Sequence, residues 1–159
     1  MRLLLDIGNP STHAALVDTR IHQDKKLPAA DWTNNRMSAR LKRFVGRTMV
    51  TQALICSVVP TATRAACAWL SSAGIKPTIF NYKNCGLGID YPKPATIGPD
   101  RLANGLAAQA EFGSPAVVVD FGTAVTFDII NHKGNYAGGI IAPGLSAMTD
   151  YLHEKTALL

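Results

Sequence analysis

A short repeat with two copies constrains this chain more than any other feature of its sequence. Leu3-Leu4-Leu5-Asp6-Ile7-Gly8 lies near the N-terminus, and Val117-Val118-Val119-Asp120-Phe121-Gly122 matches its pattern in the last third of the chain. Three aliphatic residues before the aspartate predict a buried strand, and the glycine after it predicts a turn. Each strand then delivers a carboxylate to its end, where the carboxylate can hold a cation or a hydrated magnesium. The glycine lets backbone N–H groups approach phosphate oxygens.

A single Asp-x-Gly is also a common turn composition, and for one copy that explanation is sufficient. Two copies at the ends of triple-aliphatic strands, each followed by a strand-like segment, instead favour a binding role. The repeat therefore predicts two turns that together hold a phosphate group.

The rest of the sequence predicts a mixed α/β architecture in which hairpins are followed by helices. Strands are predicted over 2–7, 12–17, 53–59, 77–81, 116–121 and 124–130, and a last strand turns at 133–135 and reaches 142. Helices are predicted over 36–47, from an N-cap at Thr61 to Gly74, from Pro99 to Glu111, and from Pro143 onward. Residues 82–98 contain three glycines and two prolines, which predicts an irregular functional loop.

Charge is concentrated in one predicted helix. The net charge is +5, and five cationic side chains lie between residues 36 and 47, where Met37, Leu41, Phe44 and Val45 form an apolar stripe at helical spacing. An ordinary helix with a solvated basic face has this pattern. Because no aromatic stacking platform or nucleic-acid motif accompanies the charges, nucleic acid is not expected as a partner.

Several features predict a cytoplasmic protein without a membrane partner. Only three apolar residues precede Asp6, far fewer than the roughly 7–15 of a signal-peptide core. No segment approaches the ~20 apolar residues of a membrane span. The three cysteines show no Cys-x-x-Cys spacing, and the four histidines show no spacing typical of a metal site.

With these residues in view, the chain resembles a type III pantothenate kinase, a family in the superfamily of acetate and sugar kinases, actin and heat-shock chaperone ATPases. The resemblance extends over essentially all 159 residues. It rests on the order and spacing of five segments: Asp6–Asn9, Gly98–Arg101, Asp120–Ala124, Gly138–Gly144 and Lys155–Leu158.

The resemblance implies an α/β, ribonuclease H-like (actin-like ATPase) fold, with one full domain over 1–113 and the start of a second over 114–159. It also implies that ATP phosphorylates pantothenate, the first step toward coenzyme A. The implied enzyme is a homodimer that uses magnesium and a monovalent cation, either potassium or ammonium.

Family positions carried onto this chain imply a role for each motif. The residues implied to bind ATP are Asp6, Ile7, Gly8, Asn9, Pro10, Ser11, Thr12, His13 and Thr123. The residue implied to hold the monovalent cation is Asp120. The residues implied to line the pantothenate site are Tyr91, Gly98, Pro99, Asp100 and Arg101, with Asp100 as the base.

Residue chemistry leaves two of these roles open. Asp100 follows Gly-Pro at a predicted helix start, where a carboxylate serves equally well as a helix cap or as a general base. Arg101 has a guanidinium fork that fits the carboxylate of pantothenate, and it fits a structural ion pair as well.

Two departures from the family pattern lead to further expectations. Pro10 removes a backbone donor that the first loop would otherwise offer to a phosphate, so ATP affinity is expected to suffer. Family chains continue beyond the position of Leu159, so this chain is expected to be a fragment or to lack half of its cleft. We accordingly expect little kinase turnover from these 159 residues alone.

Two other functions remain open at this point. A non-catalytic, nucleotide-binding regulatory relative would use the basic helix. A kinase of the same superfamily would phosphorylate another small acceptor, such as a sugar or acetate.

Overall fold

A computed structural model describes residues 1–145, 147, 149 and 154 of the chain. The chain divides into two compact units. The first unit comprises Met1–Asn84 with Gly98–Asp100, and the second comprises Cys85–Ile97 with the residues from Arg101 onward. The division into these two units does not test the domain boundary expected near Gly113, so that boundary stays a prediction.

The first unit is built on a five-stranded mixed sheet. Its strands are β1 (Arg2–Ile7), β2 (Ser11–Val17), β3 (Ile21–Pro28), β4 (Gln52–Ser57) and β5 (Lys76–Ile79). Their spatial order is β3-β2-β1-β4-β5, in which the first three strands are antiparallel and β1, β4 and β5 are parallel. The chain enters β4 and β5 after helices α1 (Met37–Val45) and α2 (Pro60–Ser72), as the parallel pairs require.

One face of this sheet forms the core of the first unit. Alternation along β1 buries Leu3, Leu5 and Ile7, which are at most 1% exposed. Helices α1 and α2 bury their apolar stripes in the same cluster, which confirms the amphipathic helix predicted around residues 36–47. One of its basic side chains, Arg40, forms an ion pair with the buried Asp31.

The second unit carries an antiparallel meander and most of a helix. Its strands are β6 (Ala116–Phe121), β7 (Ala124–Ile130) and β8 (Tyr136–Pro143), paired in that order. Helix α3 (Pro99–Phe112) begins at the predicted proline. Gly105 of α3 lets the helix approach β7 closely, because a Cβ there would lie 2.9 Å from Cδ1 of Ile130.

The structure differs from the sequence predictions at three elements. β3 was not predicted, because its residues are mostly polar and exposed, as is usual for an edge strand. Helix α2 begins at Pro60 with Val59 as its N-cap, so the N-cap predicted at Thr61 is wrong. Proline is well suited to the first helical position, where its missing N–H costs nothing.

The third difference is Pro143, which ends β8 instead of opening a helix. A proline is tolerated at the end of a strand, where it need not donate to the ladder. The next described helical residues are Leu145, Ala147, Thr149 and Glu154, and the predicted Leu-Leu end of this helix lies outside the described residues.

Candidate active site

Both copies of the repeat end in a similar backbone turn. The N–H of Gly8 donates to the carbonyl of Ser11 at 3.0 Å, and the N–H of Gly122 donates to the carbonyl of Ala124 at 2.9 Å. In each copy the aspartate is the second-last residue of its strand, and it is exposed. The repeat predicted from sequence is therefore confirmed in backbone geometry, and the first turn is longer by one residue. The burial predicted for the second strand is wrong, because β6 is an edge strand whose Val117 and Val119 are exposed.

The segment that follows β3 forms two hydrogen bonds with the first turn and the start of β2. The N–H of Ala29 donates to the carbonyl of Pro10 at 2.9 Å, and the indole N–H of Trp32 donates to Oγ1 of Thr12 at 2.9 Å. Thr12 is fully buried. These contacts connect the predicted phosphate loop to the segment after β3 through one backbone and one side-chain hydrogen bond.

A cavity of about 210 Å³ opens beside this loop. Gly8 and Asn9 line one wall, and Thr61 and Ala62 from the first turn of α2 line another. The first N–H groups of a helix have no partner within the helix, and its dipole favours negative charge there. The cavity thus combines a glycine turn and a helix N-terminus, two backbone features whose N–H groups commonly donate hydrogen bonds to phosphate oxygens.

Two carboxylates act on the titration of one thiol in the first unit. Asp6 and Cys56 are direct partners in the parallel pairing of β1 with β4. Burial first, and then the negative charges of Asp6 and Asp100, raise the pKa of the Cys56 thiol from an ordinary 9.0 to about 12. The predicted base and the carboxylate of the predicted phosphate loop therefore both lie close enough to Cys56 to act on its titration.

This arrangement predicts an unreactive Cys56. At pH 8 its thiolate population should be about 10³-fold below that of a thiol with the ordinary pKa, since each pKa unit is a factor of ten. The measurement is iodoacetamide labelling of Cys56, followed by mass spectrometry of its peptide across a pH series. We expect the midpoint to lie above pH 11 and to fall in Asp100→Asn. The matched surface variant Asp24→Asn should leave it unchanged, and a wild-type midpoint near 9 would contradict the arrangement.

In the second unit, Asp120 borders a cleft of about 370 Å³ between α3 and β6. Nδ2 of Asn104 donates to Oδ2 of Asp120 at 3.2 Å. Thr123 occupies the turn after β6, where Gly144 packs so tightly that a Cβ on Gly144 would overlap the Thr123 carbonyl. The predicted cation ligand and the predicted second ATP contact thus lie at one end of the meander.

Arg101 forms a buried ion pair in the second unit. Its Nε–H donates to Oδ1 of Asp128 at 2.7 Å, and its Nη2–H donates to the carbonyl of Phe127 at 3.3 Å. Asp128 is fully buried and also accepts from the hydroxyl of Tyr136 at 2.6 Å. Burial and the hydrogen bond to Asp128 raise the pKa of Tyr136 above its ordinary value.

Tyr91 approaches β8 near this ion pair. Its ring lies against Gly138, where a Cβ would be 3.4 Å from Cδ2 of Tyr91. The preceding residue, Asp90, accepts from Asn131 at 2.8 Å, and this bond lowers the pKa of Asp90.

The sequence did not predict a role for Asp128 or Tyr136. The available signal was a charged residue inside the mainly apolar strand Ala124-Val125-Thr126-Phe127-Asp128-Ile129-Ile130. A charge in such a strand is seldom buried without a partner.

The other predicted site residues divide between core and surface. Ile7 belongs to the core, Ser11 is half-buried, and His13 is exposed beside Asp6 as its partner on β2. Gly98 and Pro99 are half-buried at the start of α3 and belong to the first unit, as Asp100 does. The phosphate loop and Asp100 thus lie in the first unit, whereas Tyr91, Arg101, Asp120 and Thr123 lie in the second.

The strand topology and a comparison with solved structures show the fold of this chain. A solved structure, a candidate 2-dehydro-3-deoxygalactonokinase from Sinorhizobium meliloti, matches with a TM-score of 0.58 and 12% identity, and the match covers 99% of this chain and 58% of that one. At this identity the match shows only the fold. The chain is an α/β protein with the ribonuclease H-like fold of actin-like ATPases and sugar kinases.

The sequence comparisons then identify the family. The family model for type III pantothenate kinase matches residues 2–159. A type III pantothenate kinase of Akkermansia muciniphila is 48% identical over 122 residues, covering 76% of this chain and 49% of the relative. One from Methylacidiphilum infernorum is 41% identical over 162 residues, covering 99% and 56%. The chain belongs to the type III pantothenate kinase family, and it spans about half the length of these curated relatives.

Within the described residues, the structure contains no helix long and apolar enough to cross a membrane.

Proposed function

We propose that this chain provides the first phosphate loop and much of the acceptor site of an enzyme that transfers phosphate from ATP to pantothenate. The observation that carries the proposal is that Asp6, the partner of Cys56 in the pairing of β1 with β4, and Asp100 both raise the pKa of that thiol, within a chain of the type III pantothenate kinase family. A kinase needs a group that holds the phosphate-bound cation and a base for the acceptor hydroxyl, and these two carboxylates have the chemistry for the two roles.

In the proposed reaction, the backbone of Asp6–His13 holds phosphate oxygens of ATP, and Thr123 makes a second contact with ATP. Asp100 accepts the proton of the pantothenate hydroxyl while that oxygen attacks the γ-phosphorus and ADP departs. Tyr91 and the Gly98–Arg101 segment orient pantothenate. Pro10 cannot donate to phosphate, but its carbonyl anchors the loop through Ala29.

The described residues are compatible with the implied cations. No cluster of three or more His, Cys, Asp or Glu side chains that could hold a metal occurs among them. Magnesium in kinases is commonly held by one or two carboxylates together with substrate phosphates, so Asp6 is sufficient as a protein ligand. Asp120 offers an exposed carboxylate for potassium or ammonium. These cations supply charge neutralisation to the phosphates when bound.

The proposal includes a homodimer in the cytoplasm, as the family resemblance implies. The test is steady-state ADP formation by the full-length product of the gene, with pantothenate, acetate or sugars as acceptors. Turnover with pantothenate is expected. ATP binding without turnover on any acceptor would instead indicate a regulatory relative, and turnover with another acceptor alone would indicate a different kinase.

The cation role of Asp120 makes a separate prediction. We expect Asp120→Asn in potassium to behave like the wild-type protein in sodium, because both changes remove the same coordination. The measurement is the Michaelis constant for ATP in the two salts. Asp24→Asn, which removes a surface carboxylate from β3, serves as the matched control. Equal wild-type activity in potassium and sodium would argue against a monovalent cation at Asp120.

A further inference from the structure

We propose that Asp128 and Tyr136 are positioning residues for the guanidinium of Arg101, and that they make the acceptor site selective for a substrate with a carboxylate. The inference rests on the proposed function, in which Arg101 pairs with the carboxylate of pantothenate.

The orientation of Arg101 is the first argument. A guanidinium is a rigid planar fork, and it pairs strongly with a carboxylate only when the two groups are nearly coplanar. Asp128 and the carbonyl of Phe127 engage Nε and Nη2, the two nitrogens along one edge of the fork. These two contacts together define the plane of the group, so the angle at which a substrate carboxylate meets it is set in advance.

Charge is the second argument. Asp128 is fully buried and the side chain of Arg101 is 15% exposed, so the two charges balance each other in a weakly solvated region. Net positive charge therefore contributes less to the binding of a substrate anion here than it would at an isolated arginine. Under that condition, recognition depends on the hydrogen-bond geometry of the guanidinium, which Asp128 controls.

Tyr136 links this ion pair to the segment that carries Tyr91. Its hydroxyl donates to the same Asp128 oxygen that accepts from Arg101. Its N–H donates to the carbonyl of Gly88 at 2.7 Å, and its carbonyl accepts from the N–H of Asp90 at 2.8 Å. One buried residue thus fixes both sides of the predicted pantothenate site.

The first test compares two acceptors in the full-length gene product, pantothenate and panthenol, in which a neutral hydroxymethyl group replaces the carboxylate. In Asp128→Asn we expect kcat/KM for pantothenate to fall by roughly tenfold to a hundredfold, mainly through KM, as for a misplaced recognition group. The value for panthenol should change by less than about threefold, because panthenol makes no carboxylate contact. Tyr136→Phe, which keeps the buried ring, should lower the ratio of kcat/KM for pantothenate to kcat/KM for panthenol by a smaller factor than Asp128→Asn. An equal fall for both acceptors in both variants would overturn the proposal.

The second test does not depend on activity. In nitrogen-15 NMR spectra of the full-length gene product, the Nε–H of Arg101 should give a signal protected from exchange, and Asp128→Asn should remove that protection. Asp31→Asn is the matched control, because it removes the charge of a buried aspartate that pairs with the exposed Arg40, and it should leave the Arg101 signal unchanged. An unchanged Arg101 signal in Asp128→Asn would refute the positioning role. Loss of protection in Asp128→Asn, together with no phosphorylation of pantothenate by the wild-type full-length gene product, would uphold the positioning role and reject the proposed function.

Discussion

Asp100→Asn is expected to reduce turnover by roughly 10²–10⁴-fold while ATP affinity stays close to the wild-type value, if Asp100 is the general base. The substitution keeps the size of the side chain and one hydrogen-bonding oxygen, but it removes the charge and nearly all of the basicity. Asp100 is half-buried in the first turn of α3, near Cys56 and therefore near the end of β1. The measurement is steady-state phosphorylation of pantothenate together with calorimetric ATP binding, in the full-length gene product.

The competing role for Asp100 is structural, because a carboxylate at a helix start also stabilises the helix. Asparagine loses only this charge–dipole stabilisation, about 0.3–1 kcal/mol, so a purely structural aspartate would leave turnover nearly unchanged. The pH profile of Cys56 labelling provides an internal control, since removal of the Asp100 charge should lower its midpoint even if catalysis is unaffected. Joint loss of turnover and ATP binding would assign Asp100 to the nucleotide site.

Gly139→Ala is expected to lower the free energy of unfolding by roughly 3 kcal/mol, a large effect for the addition of one methyl group. Gly139 lies opposite Asp128 in the pairing of β8 with β7. A Cβ there would overlap both the carbonyl of Phe127 and Nη2 of Arg101, and the backbone carbonyl cannot move without breaking the strand pairing. Urea unfolding of the two proteins measures the change.

Gly122→Ala provides the control for this stability measurement. A Cβ at Gly122 would lie 3.6 Å from the carbonyl of Ala124, which is ordinary van der Waals contact, so stability should change little. Because Gly139→Ala also displaces Arg101, it should weaken pantothenate binding in the direction expected for Asp128→Asn. Wild-type stability in Gly139→Ala would mean that β8 does not approach Arg101 as closely as described.

The local elements of this fold could be predicted from sequence wherever one strong pattern acted alone. Triple-aliphatic runs before Asp6 and Asp120 predicted β1 and β6, and the proline at 99 predicted the start of α3. In each case the residues that determine the element are neighbours in the chain. The prediction failed for β3, because its polar residues form a strand only through pairing with β2. The residue pattern within β3 does not by itself predict this pairing with β2.

The sequence by itself determined the family, the two Asp-x-Gly turns and the identity of the candidate site residues, because these depend on the order of residues along the chain. Only the tertiary structure brought Asp6 and Asp100 close enough to Cys56 to raise its pKa, since these residues come from β1, the start of α3 and β4. It also decided that Arg101 is held by Asp128, 27 positions away. The physical reason is that a buried charge must find its partner in space, and the fold of the backbone determines which partner lies within reach.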